Sequence, residues 1–427
     1  MRVTRRVWRV WAALVVAVAI GWAAPVGAAA PVSGAAAATC GGRPATEVGT
    51  SSDDVIRGTS GADVIVGLRG NDTIAGLGGR DRICGGPGSD RLSGGPGDEL
   101  LVGGTDRLHV TEEGSTERIG DVLAGGPGDD RMVPGRDRRT ADDVILDSIS
   151  WESAAHGVAV DIGAGVAIGE GRDRFDAHRA WVVGSDHGDR FVGSAGPDHV
   201  VSGRGGDLVR GGAGADRIVT DPAGGLGGAD LAFGGPGPDV ISSFGGEDVV
   251  RGGPGADLID DVGPAADRLY GGGGPDRIFT QLVDRARARQ VVDGGPGTRD
   301  VVDLHTQRIN PSGLDSTADW DMATGALVFT LDHPVSVSVV HIERADLSAW
   351  GTRWTVRGTD GPDLLQASGS SGTWFAGRHG DDVFSGSAYD DTFRGGLGRD
   401  RARGMGDGQD ACVSVEVVDG NDCESTT

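Results

Sequence analysis

Residues 49–102 read GTSSDDVIR, GTSGADVIV, GLRGNDTIA, GLGGRDRIC, GGPGSDRLS and GGPGDELLV, six consecutive blocks of nine residues without an insertion. Every block begins with glycine, carries an acidic residue at its sixth position and places isoleucine or leucine at its eighth. Glycine-rich hexamers turn easily, and the side chains of the last three residues alternate, so each block predicts one turn followed by one short strand. Blocks that stay in phase predict a stack of such units.

The same pattern returns further along the chain. An isolated block, GGPGDDRMV, occupies residues 125–133, a second run starts at Gly184, and a third starts at Gly358. The inserts between these runs contain alternating apolar residues, and we expect them to form strands continuous with the repeats. The expected organisation is an export signal at 1–38, an N-terminal cap at 39–48, a first repeat block at 49–133, a strand-rich insert at 134–183, a second repeat block at 184–279, a second strand-rich insert at 280–357, a third repeat block at 358–413 and a C-terminal tail at 414–427.

The composition fits a thin, repetitive core. Of the 427 residues, 79 are glycine and only 5% are aromatic, which leaves too few bulky apolar side chains for several conventional domains. The 63 acidic and 39 basic residues give a net charge of -24. Such a charge disfavours nucleic acid and anionic membrane surfaces as partners and favours cations.

The N-terminal segment has the layout of an export signal. Arg2, Arg5, Arg6 and Arg9 precede an apolar run over residues 10–24 and a stretch of small residues, which is the order of a cleaved secretory signal. The mature protein is therefore expected to be secreted and extracellular, without a membrane segment. A retained membrane anchor is the alternative.

The chain contains four cysteines, Cys40, Cys84, Cys412 and Cys423, which indicate two disulfides in an exported protein. Three connectivities exist for four cysteines. Proximity in the chain favours Cys40 with Cys84 and Cys412 with Cys423. The sequence has no CxxC spacing of the kind that indicates a zinc site.

The blocks resemble the GGxGxDxUx nonapeptide of the RTX, or haemolysin-type, calcium-binding repeat family. The inserts resemble those of its secreted actinobacterial members. The resemblance implies an all-β fold, a parallel β-roll or β-solenoid with two parallel sheets, in which the first six residues of a block form a calcium-binding turn and the last three form a strand. It also implies calcium as cofactor and partner.

The residues themselves also favour a metal. One aliphatic side chain per block offers little burial to offset the ordering of the whole block, and stacked turns bring acidic side chains together. A hard divalent cation with about 6 to 8 oxygen ligands would use both the carboxylates and the turn carbonyl groups. Calcium suits such a flexible cage better than magnesium does.

The expected calcium ligands are the aspartates at the sixth position of the blocks. They are Asp54, Asp63, Asp72, Asp81, Asp90, Asp130, Asp189, Asp198, Asp207, Asp216, Asp230, Asp239, Asp248, Asp257, Asp276, Asp382, Asp391 and Asp400. The alternative is that such an aspartate only caps its own turn through hydrogen bonds. Degenerate units, such as those at Glu99 and Asp267, favour calcium less.

Stacking partners follow if two blocks make one coil. Acids 18 residues apart should then share an edge, so that Asp54 lies beside Asp72 and Asp63 lies beside Asp81. By the same argument, Asp230 should stack on Asp248 and Asp239 should stack on Asp257 within the second run.

The sequence shows no catalytic constellation. The zinc-protease motif HExxH and the nucleophile motif GxSxG are both missing. The six tryptophans beyond the signal lie in or beside the irregular parts, where we expect them to supply bulk. A non-enzymatic structural or binding protein is favoured. A β-helical polysaccharide lyase or epimerase without a recognisable motif, and a surface adhesin, are the alternatives, and a cell-envelope or polysaccharide partner stays open.

Overall fold

The computed structural model describes residues 38–105, 109–110, 116–117, 120–135, 147–176, 180–221, 227–263, 265–282, 290–297, 299–306, 316–330, 334–349, 352–368, 372–404, 409–415, 417–418 and 423–425. The expected export signal lies outside these residues, apart from Ala38. Every regular element in the described ranges is a β-strand. No helix among them is long and apolar enough to cross a membrane.

The strands follow one another along the chain. They are β1 (Thr39–Cys40), β2 (Arg43–Pro44), β3 (Glu47–Val48), β4 (Val55–Arg57), β5 (Val64–Val66), β6 (Thr73–Ala75), β7 (Arg82–Pro87), β8 (Arg91–Ser93), β9 (Leu100–Thr105), β10 (His109–Val110), β11 (Thr116–Glu117), β12 (Val122–Ala124), β13 (Arg131–Val133), β14 (Asp147–Ser150), β15 (Ala159–Asp161), β16 (Val166–Ile168), β17 (Arg172–Phe175), β18 (Ala180–Val183), β19 (Arg190–Val192), β20 (His199–Val201), β21 (Leu208–Arg210) and β22 (Arg217–Val219). They continue with β23 (Leu231–Phe233), β24 (Val240–Ser243), β25 (Val249–Pro254), β26 (Leu258–Asp261), β27 (Arg268–Gly273), β28 (Arg277–Leu282), β29 (Val291–Asp293), β30 (Val301–Thr306), β31 (Ser316–Asp321), β32 (Ala326–Thr330), β33 (Pro334–Val340), β34 (Arg344–Ala349), β35 (Thr352–Arg357), β36 (Leu364–Ser368), β37 (Thr373–His379), β38 (Val383–Ser385), β39 (Thr392–Leu397), β40 (Arg401–Arg403), β41 (Asp410–Val413), β42 (Val417–Val418) and β43 (Cys423–Ser425).

The chain divides into two units, each with two parallel sheets. The first unit comprises Met1–Ser194, Asp198–Leu208 and Asp221–Gly225, and the second comprises Ala195–Pro197, Val209–Thr220 and Leu226–Thr427. Most strands of the repeats cover the last three residues of a block, as the sequence predicts. The middle residue of each such strand points inward, and this alternation builds a narrow core.

Within the first unit, successive blocks enter different sheets. β4, β6 and β8 pair in parallel in one sheet, whereas β5, β7 and β9 pair in the other. The register places Ile56 beside Ile74 and Ile65 beside Ile83. Two blocks therefore form one coil, which confirms the expected arrangement.

The second unit repeats this arrangement. β24 pairs in parallel with β26, and β26 with β28, whereas β23 pairs with β25, and β25 with β27. Ile241 lies beside Ile259, and Val250 lies beside Leu269. Val250 and Leu269 are one residue further apart in the sequence than Ile241 and Ile259, because the turn between them contains one extra residue. The parallel strand pairing keeps its register in spite of this extra residue.

The inserts extend the sheets of their own units. In the first unit, β14 pairs in parallel with β12 and β18, while β15, β16 and β17 form an antiparallel segment. In the second unit, β30 pairs in parallel with β34, while β31, β32 and β33 are antiparallel. Trp320 and Trp354 are fully buried and Trp151 is nearly so, as expected for residues that supply bulk, whereas Trp181 and Trp374 are half-buried. Trp350 lies outside the described residues.

A disulfide joins Cys40 to Cys84, as expected. Cys40 belongs to the hairpin of β1 and β2, and β1 contacts β7, which carries Cys84. The bond therefore fixes the N-terminal hairpin to the first coils. Cys412 is buried, as its inward position requires. The Cys412–Cys423 bond stays a prediction, because the side chain of Cys423 lies outside the described residues.

Glycines at the fourth position of the turns provide a matched pair of variants. Gly88 has a φ of +146°, and a Cβ there would lie 1.8 Å from the carbonyl oxygen of Gly70. At Gly61 the nearest atom to such a Cβ is Thr59 Oγ1 at 3.6 Å. We expect Gly88→Ala to lower the free energy of unfolding by about 1–3 kcal/mol, and Gly61→Ala to change it by less than about 1 kcal/mol. Denaturant titration with calcium present measures both, and equal losses would contradict this account.

The disulfide gives a second test of the fold. Its cysteines are 44 residues apart, so the bond restrains a long segment of the unfolded chain. The double variant Cys40→Ser with Cys84→Ser should lower the free energy of unfolding by about 2–4 kcal/mol. Non-reducing peptide mapping of the unaltered protein provides the control, since it should recover the Cys40–Cys84 peptide. A melting temperature that does not change in the double variant would show that the hairpin is not held by the bond.

Candidate metal-binding turns

The sixth-position carboxyl groups form hydrogen-bonded ladders along the turns. In the first unit, the backbone N–H of Asp54 donates to Oδ1 of Asp72 at 2.9 Å, and that of Asp72 donates to Oδ1 of Asp90 at 2.8 Å. On the other edge, the N–H of Asp63 donates to Oδ1 of Asp81 at 2.8 Å. These contacts confirm that acids one coil apart stack on one another.

The second unit contains the same ladders. The N–H of Asp230 donates to Oδ1 of Asp248, and that of Asp239 donates to Oδ1 of Asp257, each at 2.8 Å. One carboxylate oxygen of Asp230 also lies within 4.8 Å of one carboxylate oxygen of Asp248. Calcium binds its oxygen ligands at about 2.3–2.6 Å, so two such oxygens lie close enough to share one ion.

All of the expected ligands lie in turns at the edges of the sheets. Asp54 and Asp63, at the start of the first repeat block, are half-buried. The remaining expected ligands are buried: Asp72, Asp81, Asp90, Asp130, Asp189, Asp198, Asp207, Asp216, Asp230, Asp239, Asp248, Asp257, Asp276, Asp382, Asp391 and Asp400.

Sequence reasoning missed ladder members that the inserts displace from the regular spacing. The N–H of Asp90 donates to Oδ1 of Asp121, 31 residues on, and that of Asp130 donates to Oδ1 of Asp173, 43 residues on. The sequence signal that could have found these acids is an apolar residue two positions after the acid, such as Leu123 after Asp121. Leu123 is buried in the core. Further ladder members that the sequence reasoning omitted are Asp147, Asp300, Glu343, Asp363 and Asp410.

In many ladder aspartates the second carboxylate oxygen is buried without a hydrogen-bond partner. This holds for Oδ2 of Asp72, Asp81, Asp90, Asp239, Asp257, Asp276, Asp300 and Asp382. Each of these residues is at most 2% exposed. A buried carboxylate oxygen without a donor or a cation is costly, so these turns are suited to receive a positively charged ligand.

These oxygens converge with backbone carbonyl oxygens. A Cβ on Gly67, which opens its turn, would lie 2.3 Å from Oδ2 of Asp72 and 2.7 Å from the carbonyl oxygen of Gly85, one coil further on. The same convergence recurs at Gly76, Gly234, Gly252, Gly271 and Gly377. In these turns glycine at the first position leaves room for the carboxylate, which occupies the space that a side chain would take. Carboxylate and carbonyl oxygens are the ligands that calcium prefers.

The electrostatics of the ladders also favour a cation. The pKa of Asp90 is raised to about 7, mainly by burial; the backbone N–H of Asp72 opposes the rise, and the charge of Asp72 adds to it. Burial likewise raises the pKa of Asp257 to about 7, with a contribution from the charges of Asp276 and Asp239. The folded chain thus holds buried carboxyl groups whose ionised form is disfavoured. A bound divalent cation would reverse that preference.

Comparison with known proteins agrees with this geometry. The family model of the RTX calcium-binding nonapeptide repeat, in four copies, matches residues 48–83, 76–107, 120–140, 183–218, 224–259, 261–281 and 377–408. A search of curated proteins finds no match. The matched segments contain all of the expected ligands, from Asp54 to Asp400. With its repeated turns, its three-residue strands and its parallel sheets, the chain belongs to the RTX calcium-binding nonapeptide repeat family.

Proposed function

We propose that the protein is secreted, that the sixth-position aspartates bind calcium ions, and that these ions complete the fold of a structural or binding module at the cell exterior. One observation carries the proposal. In the stacked turns, buried Oδ2 atoms without a hydrogen-bond partner converge with carbonyl oxygens of the next coil. A calcium ion there would gain both kinds of oxygen ligand and would neutralise the carboxylates.

The extracellular location is supported by two independent features. The N-terminal arginines and the apolar run have the order of an export signal. The Cys40–Cys84 disulfide suits an oxidising compartment. Extracellular calcium modules commonly bind at about 10⁻⁴ to 10⁻³ M, an affinity that would leave the protein loaded outside the cell and empty before export.

The proposal includes no catalytic activity. A groove of about 400 Å³ in the second unit is lined by Trp354, Trp374 and Tyr389, with Asp390 beside them. Acid–base cleavage of a glycosidic bond generally uses two carboxyl groups, and Asp390 is the one carboxyl group among the lining residues that the structure describes. Incubation of the calcium-loaded protein with acidic polysaccharides tests this. Release of shortened or unsaturated products would establish an enzyme instead.

Calcium-dependent folding is the first prediction of this proposal. A chelator should abolish most of the β signal in circular dichroism, because repulsion among the buried carboxylates then lacks compensation. Added calcium should restore the signal, with a midpoint at about 10⁻⁴ to 10⁻³ M. Magnesium at the same concentration serves as control and should restore little, because it demands near-octahedral geometry. A metal-free protein that stays fully folded would contradict the proposal.

A matched pair of carboxyl variants tests the ligand assignment. Asp90→Asn keeps an oxygen that can accept the N–H of Asp72 but removes the charge, and should raise the calcium midpoint about 10-fold. Asp98→Asn provides the control at an exposed fifth position. Asn71 occupies that position in another turn, where its Oδ1 accepts the N–H of Ser89, so an amide fits there. Equal midpoints for the two variants would rule out Asp90 as a ligand.

A further inference from the structure

In six of the turns that the structure describes, a Ser or Thr at the second position satisfies the aspartate without a metal. The second residue of each is Ser or Thr, and its backbone N–H donates to Oδ2 of the sixth-position Asp. In one of them, Thr59 donates both its N–H, at 2.6 Å, and its hydroxyl, at 2.9 Å, to Oδ2 of Asp63. We call these the closed turns; their aspartates are Asp54, Asp63, Asp189, Asp198, Asp363 and Asp391.

A second group, the open turns, holds the Oδ2 atoms that have no hydrogen-bond partner. The second residue of every open turn has a positive φ; these residues are Leu68, Leu77, Gly86, Gly235, Gly253, Gly272, Gly295 and Arg378. The corresponding aspartates are Asp72, Asp81, Asp90, Asp239, Asp257, Asp276, Asp300 and Asp382.

The backbone explains the difference between the two groups. In three of the open turns the N–H of the second residue has another acceptor: that of Gly235 donates to the carbonyl oxygen of Gly252 at 2.8 Å and that of Gly272 to the carbonyl oxygen of Gly294 at 2.9 Å, both in the next coil. That of Gly295 donates to Oδ1 of Asp293 at 3.0 Å. Each of these N–H groups is therefore not available to the sixth-position carboxylate of its own turn. In closed turns the second residue lies outside the left-handed region, and its N–H turns inward to the carboxylate.

Three open turns adopt this conformation at a residue other than glycine. Leu68, Leu77 and Arg378 have φ values of +81°, +79° and +83°, a region that side chains with a Cβ adopt only under constraint. An interaction that favours the open conformation has to offset this strain. An ion bound to the freed carboxylate oxygen supplies such an interaction.

We infer that calcium occupies the open turns and that the closed turns stay free of metal, each held by its own Ser or Thr. This inference rests on the proposed function and refines its ligand set. Calcium in a closed turn would have to displace hydrogen bonds that the carboxylate already accepts, whereas in an open turn it meets an oxygen without a partner. In the closed turns, the turn-capping role considered from the sequence is the role of the aspartate.

The positions of the closed turns give them a role in assembly. In the first repeat block they fill residues 49–66, which is one whole coil, and the open turns follow directly. The disulfide-linked hairpin lies beside this coil, since β1 contacts β5. The first coil is thus complete without an ion, and the calcium-binding coils can add to its strands β4 and β5.

The test compares Asp63→Asn with Asp81→Asn. These aspartates stack on one another, because the N–H of Asp63 donates to Oδ1 of Asp81, but one lies in a closed turn and the other in an open turn. Calcium titration followed by circular dichroism should show a midpoint raised about 10-fold for Asp81→Asn and changed less than about 2-fold for Asp63→Asn. Isothermal titration calorimetry should count fewer ions only for Asp81→Asn.

Further variants keep the test decisive if Asp63→Asn fails to fold. Thr59→Val removes the hydroxyl and leaves both carboxylates, so it should lower the melting temperature without changing the number of bound ions. Asp363→Asn and Asp382→Asn form a second closed and open pair. Equal loss of ions from both members of a pair would overturn the inference while leaving calcium binding intact. No calcium binding by the unaltered protein would overturn the proposed function itself.

Discussion

The fold depends on one hydrogen bond, from the backbone N–H of a sixth-position acid to the carboxylate of the acid one coil later. In the pair Asp72 and Asp90 this bond is 2.8 Å long and fully buried. It sets the register of adjacent turns, and it also draws carboxyl groups of like charge into a line inside the protein. The interaction that aligns the coils therefore creates the electrostatic need for a cation.

The need for a cation is important because the core of the repeats is narrow. The strands of the repeats mostly bury one apolar side chain each, such as Ile74 or Ile83, and the rest of each block is turn. The chain adds bulk elsewhere: Phe375, Phe384 and Phe393 stack in the second unit with ring centroids 6.0 Å apart. Aromatic stacking and buried tryptophans stabilise the inserts and the third repeat block by burial, whereas the glycine-rich coils rely on backbone ladders and on the charge state of their acids.

The turns show how a small local choice changes the chemistry of a repeated site. The closed and open turns all carry an aspartate, yet the second residue decides the direction of its own N–H. A Thr such as Thr59 turns that N–H toward Asp63, whereas Gly235 directs it to the next coil. In the closed and open turns, the backbone conformation of the second residue thus separates carboxylates whose Oδ2 accepts a hydrogen bond from carboxylates whose Oδ2 is left for a metal.

The sequence by itself determined the repeat, the three-residue strands, the inward position of residues such as Ile65 and the stacking of acids one coil apart, since each follows from the period of the blocks. It favoured the Cys40–Cys84 bond among three connectivities through proximity along the chain. Only the tertiary structure decided which distant acids join the ladders. Asp121 and Asp173 stack on partners 31 and 43 residues earlier. An insert lengthens the chain between two stacked turns without changing how the turns stack, so the spacing in the sequence does not reveal the pair. The tertiary structure also decided the direction of the second-position N–H. In a turn such as that of Gly235 the acceptor is a carbonyl oxygen of the neighbouring coil, and the sequence of the turn does not show which group lies there.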